Sequence, residues 1–399
     1  PIPVWYPLDD DAQPRYDAPI VPADEALPID PSTDVPPGYT AEQRNQPGGF
    51  AGDPDIFDTW ATSSLTPQIA AQWAGADDLM ARVFPYDVRP QAHDIIRTWL
   101  FSTVVRAHHE HGSVPWTHAA LSGWILDPDR KKMSKSKGNT VTPIGLFDQY
   151  GTDAVRYWAA SARPGTDTAF SEEQMKVGRK LATKLLNVSK FVLGLGTADE
   201  LGVSTGVTEP VDAVMLARLD ATISEATKAF DAFDYARALE RTEAFFWWFC
   251  DNYVELVKGR AYATRGADEA ASARVALRTA LSAIQRLFAP FLPFASEETW
   301  SWWQAGSVHT ASWPVPGGAS SQPADALDPA VEVLAQVRRA KTAAKASQRA
   351  EVANLHVYAP AELHAPLDLA RADLIDAGSI RELVVSPGDE LRCDVVLAG

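Results

Sequence analysis

The sequence predicts an α/β protein in which a parallel-sheet segment gives way to an all-helical bundle and then to a small α/β tail. Three observations carry that expectation. Strand and helix signals alternate between Asp55 and Ala169, only long helical patterns follow Ser171, and β-rich runs flank a helical one beyond the Gly- and Ser-containing stretch Gly317–Pro323. At 399 residues the chain is long enough for several domains, each burying its own core.

Residues 1–53 are rich in Pro, Asp and Gly, and only Ile2–Tyr6 reads as a strand. So long a loop is unusual inside a compact domain, and the segment reads as a connection returning from something else. Residues 54–170 form the sheet segment. Phe84–Arg89 is a strand, and Asp94–His109 is a helix by its stripe of Ile95, Ile96, Trp99, Leu100, Val104 and Val105. Ala119–Leu126 is a buried strand, and Pro143–Tyr150 and Asp153–Ala162 are helices. Strands alternating with helices imply a parallel sheet. Residues 171–318 hold the bundle, with helices over Glu172–Leu195, Pro210–Phe230, Tyr235–Ala263, Ala270–Ala289 and Phe294–Trp303. Residues 319–399 hold the tail: a helix over Pro329–Ser347, strands over Leu355–Tyr358, Leu383–Ser386 and Leu391–Leu397, and a helix over Pro360–Ala377.

A net charge of −16 argues against a protein that coats nucleic acid through bulk electrostatics, although it leaves room for a local basic face. Cys250 and Cys393 lack the paired spacing of a zinc site and read as idle thiols in a reducing compartment. No apolar run approaches a membrane span, and the start lacks the basic flank of a signal peptide, so the expectation is a cytosolic chain with no membrane partner. A monomer is expected.

The strongest chemical signal is Lys132-Met133-Ser134-Lys135-Ser136-Lys137-Gly138-Asn139, which follows the strand ending near Leu126. Three lysines on a short Ser- and Gly-containing loop make a cationic flap. Ammonium groups suit a polyphosphate, and Ser134, Ser136 and the loop amides add donors. A plain basic turn is the bland alternative, since Arg130 and Lys131 precede the string.

That string resembles the second signature of the class I aminoacyl-tRNA synthetases, which activate an amino acid with ATP and pass it to tRNA. The resemblance implies the C-terminal half of a Rossmann-type catalytic domain for residues 54–170 and an anticodon-binding bundle for 171–318. It implies ATP with Mg2+ as co-substrate, with Lys135 stabilising phosphate charge as pyrophosphate leaves, supported by Lys132. Asp58-Thr59-Trp60 followed by Ser63-Ser64 resembles the valine branch, which implies valine and tRNA(Val) as partners and Trp60 as a wall of the amino-acid pocket. A core tryptophan is the alternative. Gln91-Ala92-His93-Asp94 resembles the turn that holds the adenylate ribose, with Gln91 and Asp94 as ligands; a helix cap is the alternative for Asp94. Gly123 falls where the family shows His-Gly near adenine, and Ser122 replaces the histidine.

Phe245–Leu256 resembles the branch's anticodon-binding domain, with its aromatics individually read as core. Arg179, Lys180, Lys184 and Lys190 share one helix, and Arg338, Arg339, Lys341, Lys345 and Arg349 form the densest basic cluster; both are candidate tRNA contacts or solvated faces. The first signature, a His-x-Gly-His turn, does not occur; His108-His109-Glu110-His111-Gly112 has the wrong order and reads weakly as a metal site. Neither an editing insertion nor a long heptad arm is present, and residues 1–6 read as the return from that insertion. The expectation is therefore a synthetase portion inactive alone. A stand-alone tRNA-binding module and the isoleucine or leucine branch remain as alternatives.

Overall fold

The computed structural model describes residues 1–398 apart from 74, 76, 77, 204, 205 and 319–322, and the Lys135 side chain is outside that description. The chain divides into two compact units, Pro1–Ser122 and Gly123–Gly399.

In the first unit, strands β1 (Trp5–Pro7) and β2 (Phe50–Gly52) pair antiparallel. Trp5 and Phe50 are fully buried, and the Trp5 indole donates to the Asp34 carbonyl at 3.1 Å. Residues 1–53 were expected to be a connection with one strand; the second strand closes them into a small folded module because two aromatics need a shared core. Three short helices follow, α1 (Thr59–Ser63), α2 (Thr66–Ala70) and α3 (Leu79–Val83).

Strand β3 (Tyr86–Ala92) leads through a 3-10 turn (His93–Ile95) and a π turn (Ile96–Leu100) into α4 (Phe101–His111). Gly112 ends α4 in the left-handed region at φ 66°, where a residue without Cβ fits without strain. The chain returns as β4 (Trp116–Ser122), parallel to β3 from Tyr86↔Trp116 to Ala92↔Ser122. This is the expected strand–helix–strand unit. Trp99 stacks on Trp116 at 5.8 Å, Arg89 lies over Trp99 at 4.1 Å, and the Trp99 indole donates to the Ser63 carbonyl at 2.7 Å.

The single buried strand expected over Ala119–Leu126 is in fact two strands. β4 stops at Ser122, and β5 (Ile125–Leu126) resumes beyond Gly123-Trp124, pairing with β6 (Thr168–Ala169). Nor is β4 uniformly buried: Thr117, His118 and Ala119 are exposed, because β3 is the one strand paired to it among the described residues.

In the second unit α5 (Ile144–Tyr150) and α6 (Thr152–Ala160) precede the bundle. Its helices are α7 (Glu172–Gly194), α8 (Pro210–Asp231), α9 (Tyr235–Trp248), α10 (Val254–Ala261), α11 (Ala267–Phe288) and α12 (Pro293–Ser301). A π turn (Phe249–Tyr253) joins α9 to α10, so the expected helix 235–263 is continuous in direction but locally widened. Ser171 caps α7 from its hydroxyl, with Glu172 and Glu173 at the positive end of the helix dipole. Part of the expected linker 317–323 lies outside the described residues.

The tail runs α13 (Asp328–Ala343), β7 (Val352–Ala359), α14 (His364–Leu369), α15 (Arg371–Gly378), β8 (Leu383–Pro387) and β9 (Arg392–Leu397). The sheet order is β8-β7-β9, with β7 parallel to β8 and antiparallel to β9. The helix expected over 360–377 is broken at Ala370. Bundle and tail share one apolar core, from Leu181 and Met215 through Phe246, Leu281 and Phe288 to Val337, Leu355 and Val357.

Inside that core sits a charge knot. Arg260 on α10, fully buried, donates from Nη1 and Nη2 to the two carboxylate oxygens of Asp212 on α8, both at 2.8 Å. Its Nε and Nη2 also reach Asp373 on α15, at 3.0 and 3.1 Å. Tyr253 and Ser272 each donate to Asp212 at 2.6 Å, so every charged oxygen is met. Arg260→Leu leaves Asp212 buried without a counter-charge and Asp373 with Arg265 alone, and is expected to lower the unfolding free energy by about 3–5 kcal/mol, read as a shifted urea midpoint.

Candidate active site

The lysine string is a loop between β5 and α5. Its entry is a tight turn: Asp127 N–H donates to the Lys131 carbonyl at 2.8 Å, Arg130 N–H donates to the Asp127 carbonyl at 2.9 Å, and Arg130 is left-handed at φ 61°. An isolated bridge from Leu126 to Lys132 carries the chain back beside the strand. Lys132 Nζ then lies 4.0 Å from the centroid of the Trp124 ring, an ammonium over an aromatic face. Ser134 and Ser136 hydroxyls are 3.1 Å apart, a 3-10 turn covers Lys135–Lys137, and Gly138 is left-handed at φ 68°.

Two polar side chains organise this loop, and motif reading gave neither a role. Asp127 is buried, with one carboxylate oxygen accepting from Lys131 N–H at 2.8 Å and the other from Asn139 Nδ2 at 2.8 Å. The Lys131 amide bond first, and then the Asn139 bond, holds the Asp127 carboxyl below its ordinary value. Asn139 Oδ1 in turn accepts from Ser134 N–H at 2.9 Å. The legible signal was the Asp and Asn bracketing the lysines, residue types that bond local backbone in turns.

Gly123 is required by packing within its own unit. A Cβ there would overlap the Thr166 carbonyl and the Asp167 amide nitrogen, while Trp124 N–H donates to Asp167 Oδ1 at 2.8 Å.

The first unit holds the other expected ligands. Gln91, at the C-terminal end of β3, is 8% exposed, yet neither its amide oxygen nor its nitrogen has a hydrogen-bond partner among the described residues. A buried carboxamide left so costs free energy unless a ligand or water meets it. Gln68 on α2, which the sequence did not point to, is in the same condition at 1% exposure. Asp94 is exposed within the 3-10 turn, whose N-cap is Ala92, and lies 3.9 Å from His93 Nε2. His93 Nδ1 is 3.2 Å from the Ser122 carbonyl, and the Ser122 hydroxyl donates to the Gln91 carbonyl at 3.4 Å, which ties the ends of β3 and β4. Trp60 is 40% exposed on α1, where the Asp58 side chain caps the helix by accepting from Trp60 N–H. A packed core tryptophan it is not.

His111 packs edge-on against Trp73 and Phe84, and no group of three His, Cys, Asp or Glu among the described residues is placed to hold a metal. Burial pushes both thiols, Cys250 and Cys393, up to about 12. No helix among the described residues is long and apolar enough to cross a membrane.

On α7, Arg179, Lys180 and Lys184 line a groove of about 760 Å³ together with Lys176, Gln149 and Trp247. Lys180 is exposed, Arg179 donates to the Gln149 carbonyl at 3.0 Å, and Lys184 pairs with Asp251 at 2.9 Å. Of the second basic cluster, Arg338, Lys341 and Arg349 line one pocket of about 410 Å³. Arg339 pairs with Glu332 at 2.6 Å and Arg338 donates to the Asp251 carbonyl at 3.1 Å, while Lys345 is exposed. Lys341, expected among the tRNA contacts, is instead 1% exposed, donating to the Gln348 and Gly378 carbonyls at 3.0 and 2.8 Å. Its ammonium is engaged by those two carbonyls.

The sequence matches the family model "tRNA synthetases class I (I, L, M and V)" over residues 1–171 and "Anticodon-binding domain of tRNA ligase" over 212–357. It is 58% identical to a valine–tRNA ligase of Thermobifida fusca across 100% of this chain. The chain belongs to the class I tRNA synthetases. Other similar members are valine–tRNA ligases of Salinispora tropica, 55% identical over 98% of the chain, and of Leifsonia xyli subsp. xyli, 55% identical over 100%. The chain spans about half the length of these synthetases, 46% and 47% for the first two. Among solved synthetases, the ternary LeuRS–tRNA–LeuAMS complex of Agrobacterium radiobacter K84 matches with a TM-score of 0.61 at 17% identity, covering 100% of this chain and 49% of that one. That likeness shows the shared fold.

Gly123→Ala is expected to cost about 1–3 kcal/mol of stability, because the added methyl meets rigid backbone; chemical unfolding of the purified chain reads it.

Proposed function

We propose that this chain supplies the flap-bearing and tRNA-binding portion of a cytosolic valine–tRNA ligase, and that it does not activate valine by itself. The observation that carries the reading is the Lys132–Asn139 loop, folded between β5 and α5 in a chain that aligns throughout with valine–tRNA ligases. In the reaction a valine carboxylate oxygen attacks the α-phosphorus of ATP and pyrophosphate leaves. The tRNA terminal hydroxyl then attacks the adenylate carbonyl and AMP leaves. Mg2+ accompanies ATP as the counter-ion of its phosphates.

Each residue has a stated part. Lys135, supported by Lys132, neutralises charge that grows on the departing phosphates, and the Ser134 and Ser136 hydroxyls donate to the same oxygens. Asp94 accepts from the ribose hydroxyls. Gln91 offers the adenylate its unmet buried amide. Gly123 places its backbone beside adenine. Trp60, with its indole 40% exposed, walls the valine side chain. The α7 groove of Arg179, Lys180 and Lys184 takes tRNA backbone, with Lys176 adding charge and Trp247 an aromatic face. Residues 54–170 form the catalytic part, 171–318 the anticodon-binding part, and 319–399 a structural tail.

Valine-dependent ATP–pyrophosphate exchange tests this on the chain alone and on the chain extended to the length of its relatives. Exchange with valine, and not with isoleucine or leucine, is expected in the extended form only. Exchange by the chain alone would remove the claim of dependence. Silence in both forms, with tRNA still bound, would replace the ligase by an RNA-binding module.

A further inference from the structure

We propose that Asp127 and Asn139 are positioning residues that clasp the two ends of the lysine flap and set its resting conformation. Asp127 stands immediately after β5 and Asn139 near the start of the path into α5, twelve residues apart in sequence and one hydrogen bond apart in space, 2.8 Å from Asp127 Oδ2 to Asn139 Nδ2. The clasp reaches the loop from both directions. Asp127 Oδ1 fixes the entry through Lys131 N–H at 2.8 Å, and Asn139 Oδ1 fixes the middle through Ser134 N–H at 2.9 Å. Asn139 Nδ2 also lies 3.4 Å from the Lys132 carbonyl. The backbone on either side of Met133 is thus tied to one buried carboxylate through one carboxamide, while Lys137 and Ser136 stand exposed.

The arrangement has a definite polarity. The carboxylate can only accept, so the carboxamide must present its nitrogen to Asp127 and its oxygen to Ser134. Exchanging the two residue types preserves that logic. In the double variant an Asn at 127 accepts from Lys131 N–H and donates to an Asp at 139, which still accepts from Ser134 N–H. Each single exchange fails, since N139D sets two carboxylates face to face and D127N leaves one donor without an acceptor. A residue needed only to fill space would show no such rescue.

The role in catalysis rests on the ligase reading above, and two readouts keep them separable. The first uses the chain as it stands: hydrogen exchange of the 130–139 segment should rise about tenfold in N139A, D127N and N139D, return near the parent in D127N/N139D, and leave the melting temperature of the bundle unchanged. Unchanged exchange in the single variants, or no recovery in the double, overturns the clasp. The second uses the extended chain in valine-dependent pyrophosphate exchange. The single variants should lower kcat about tenfold with the KM for valine unaltered, and the double variant should recover it. A rise in the KM for valine with kcat unchanged overturns the positioning role. An inactive extended parent overturns the ligase reading, and hydrogen exchange still decides the clasp.

Discussion

The second unit is organised around a positive charge that has nowhere to go. Arg260 lies wholly inside an apolar core, and a guanidinium there is tolerable only if its donors are met by counter-charges. Asp212 takes it bidentately and Asp373 takes its other edge, while Tyr253 and Ser272 fill the remaining lone pairs of Asp212. The participants come from α8, α10, α11, α15 and the π turn, so satisfying one side chain fixes how five elements pack. Arg265 extends the knot to Glu269 and shares Asp373 at 2.6 Å. Specificity is the gain: apolar contacts alone would admit sliding of α15 along α10, and the fork geometry admits one register.

In a chain with a net charge of −16, basic groups sit within an acidic surround. Many of its basic groups are already spoken for: Lys184 by Asp251, Arg339 by Glu332, Lys341 by two carbonyls. On the α7 groove and the flap, Lys180 and Lys137 stand exposed. The surface ion pairs Lys184–Asp251 and Arg339–Glu332 contribute little stability. An acidic body of this kind keeps non-specific adsorption of polyanions low.

Much of the fold was legible, for identifiable reasons. The long helices of the bundle announced themselves because each must bury a stripe, and the Met215, Leu219, Ile223, Ala226 pattern has one periodic explanation. The strand–helix–strand unit followed from strand and helix signals in alternation. What failed did so where local pattern underdetermines packing. Ala119–Leu126 reads as one apolar run, and only the close approach of Gly123 to the Thr166–Asp167 backbone explains the break. Lys341 resembles its exposed neighbours in sequence, and its burial depends on carbonyls seven and thirty-seven residues away. The flap was visible as a string of lysines; the Asp127–Asn139 pair that shapes it was not, because a hydrogen bond across twelve residues leaves no periodic trace.

The charge knot also imposes a schedule on synthesis. Asp212 and Arg260 leave the ribosome well before Asp373, which sits on the other side of β7 and α14. Until α15 emerges, Arg260 holds half its counter-charge and the core face that receives the tail is open to water. The counter-charge of Arg260 is therefore complete only once α15 has been made.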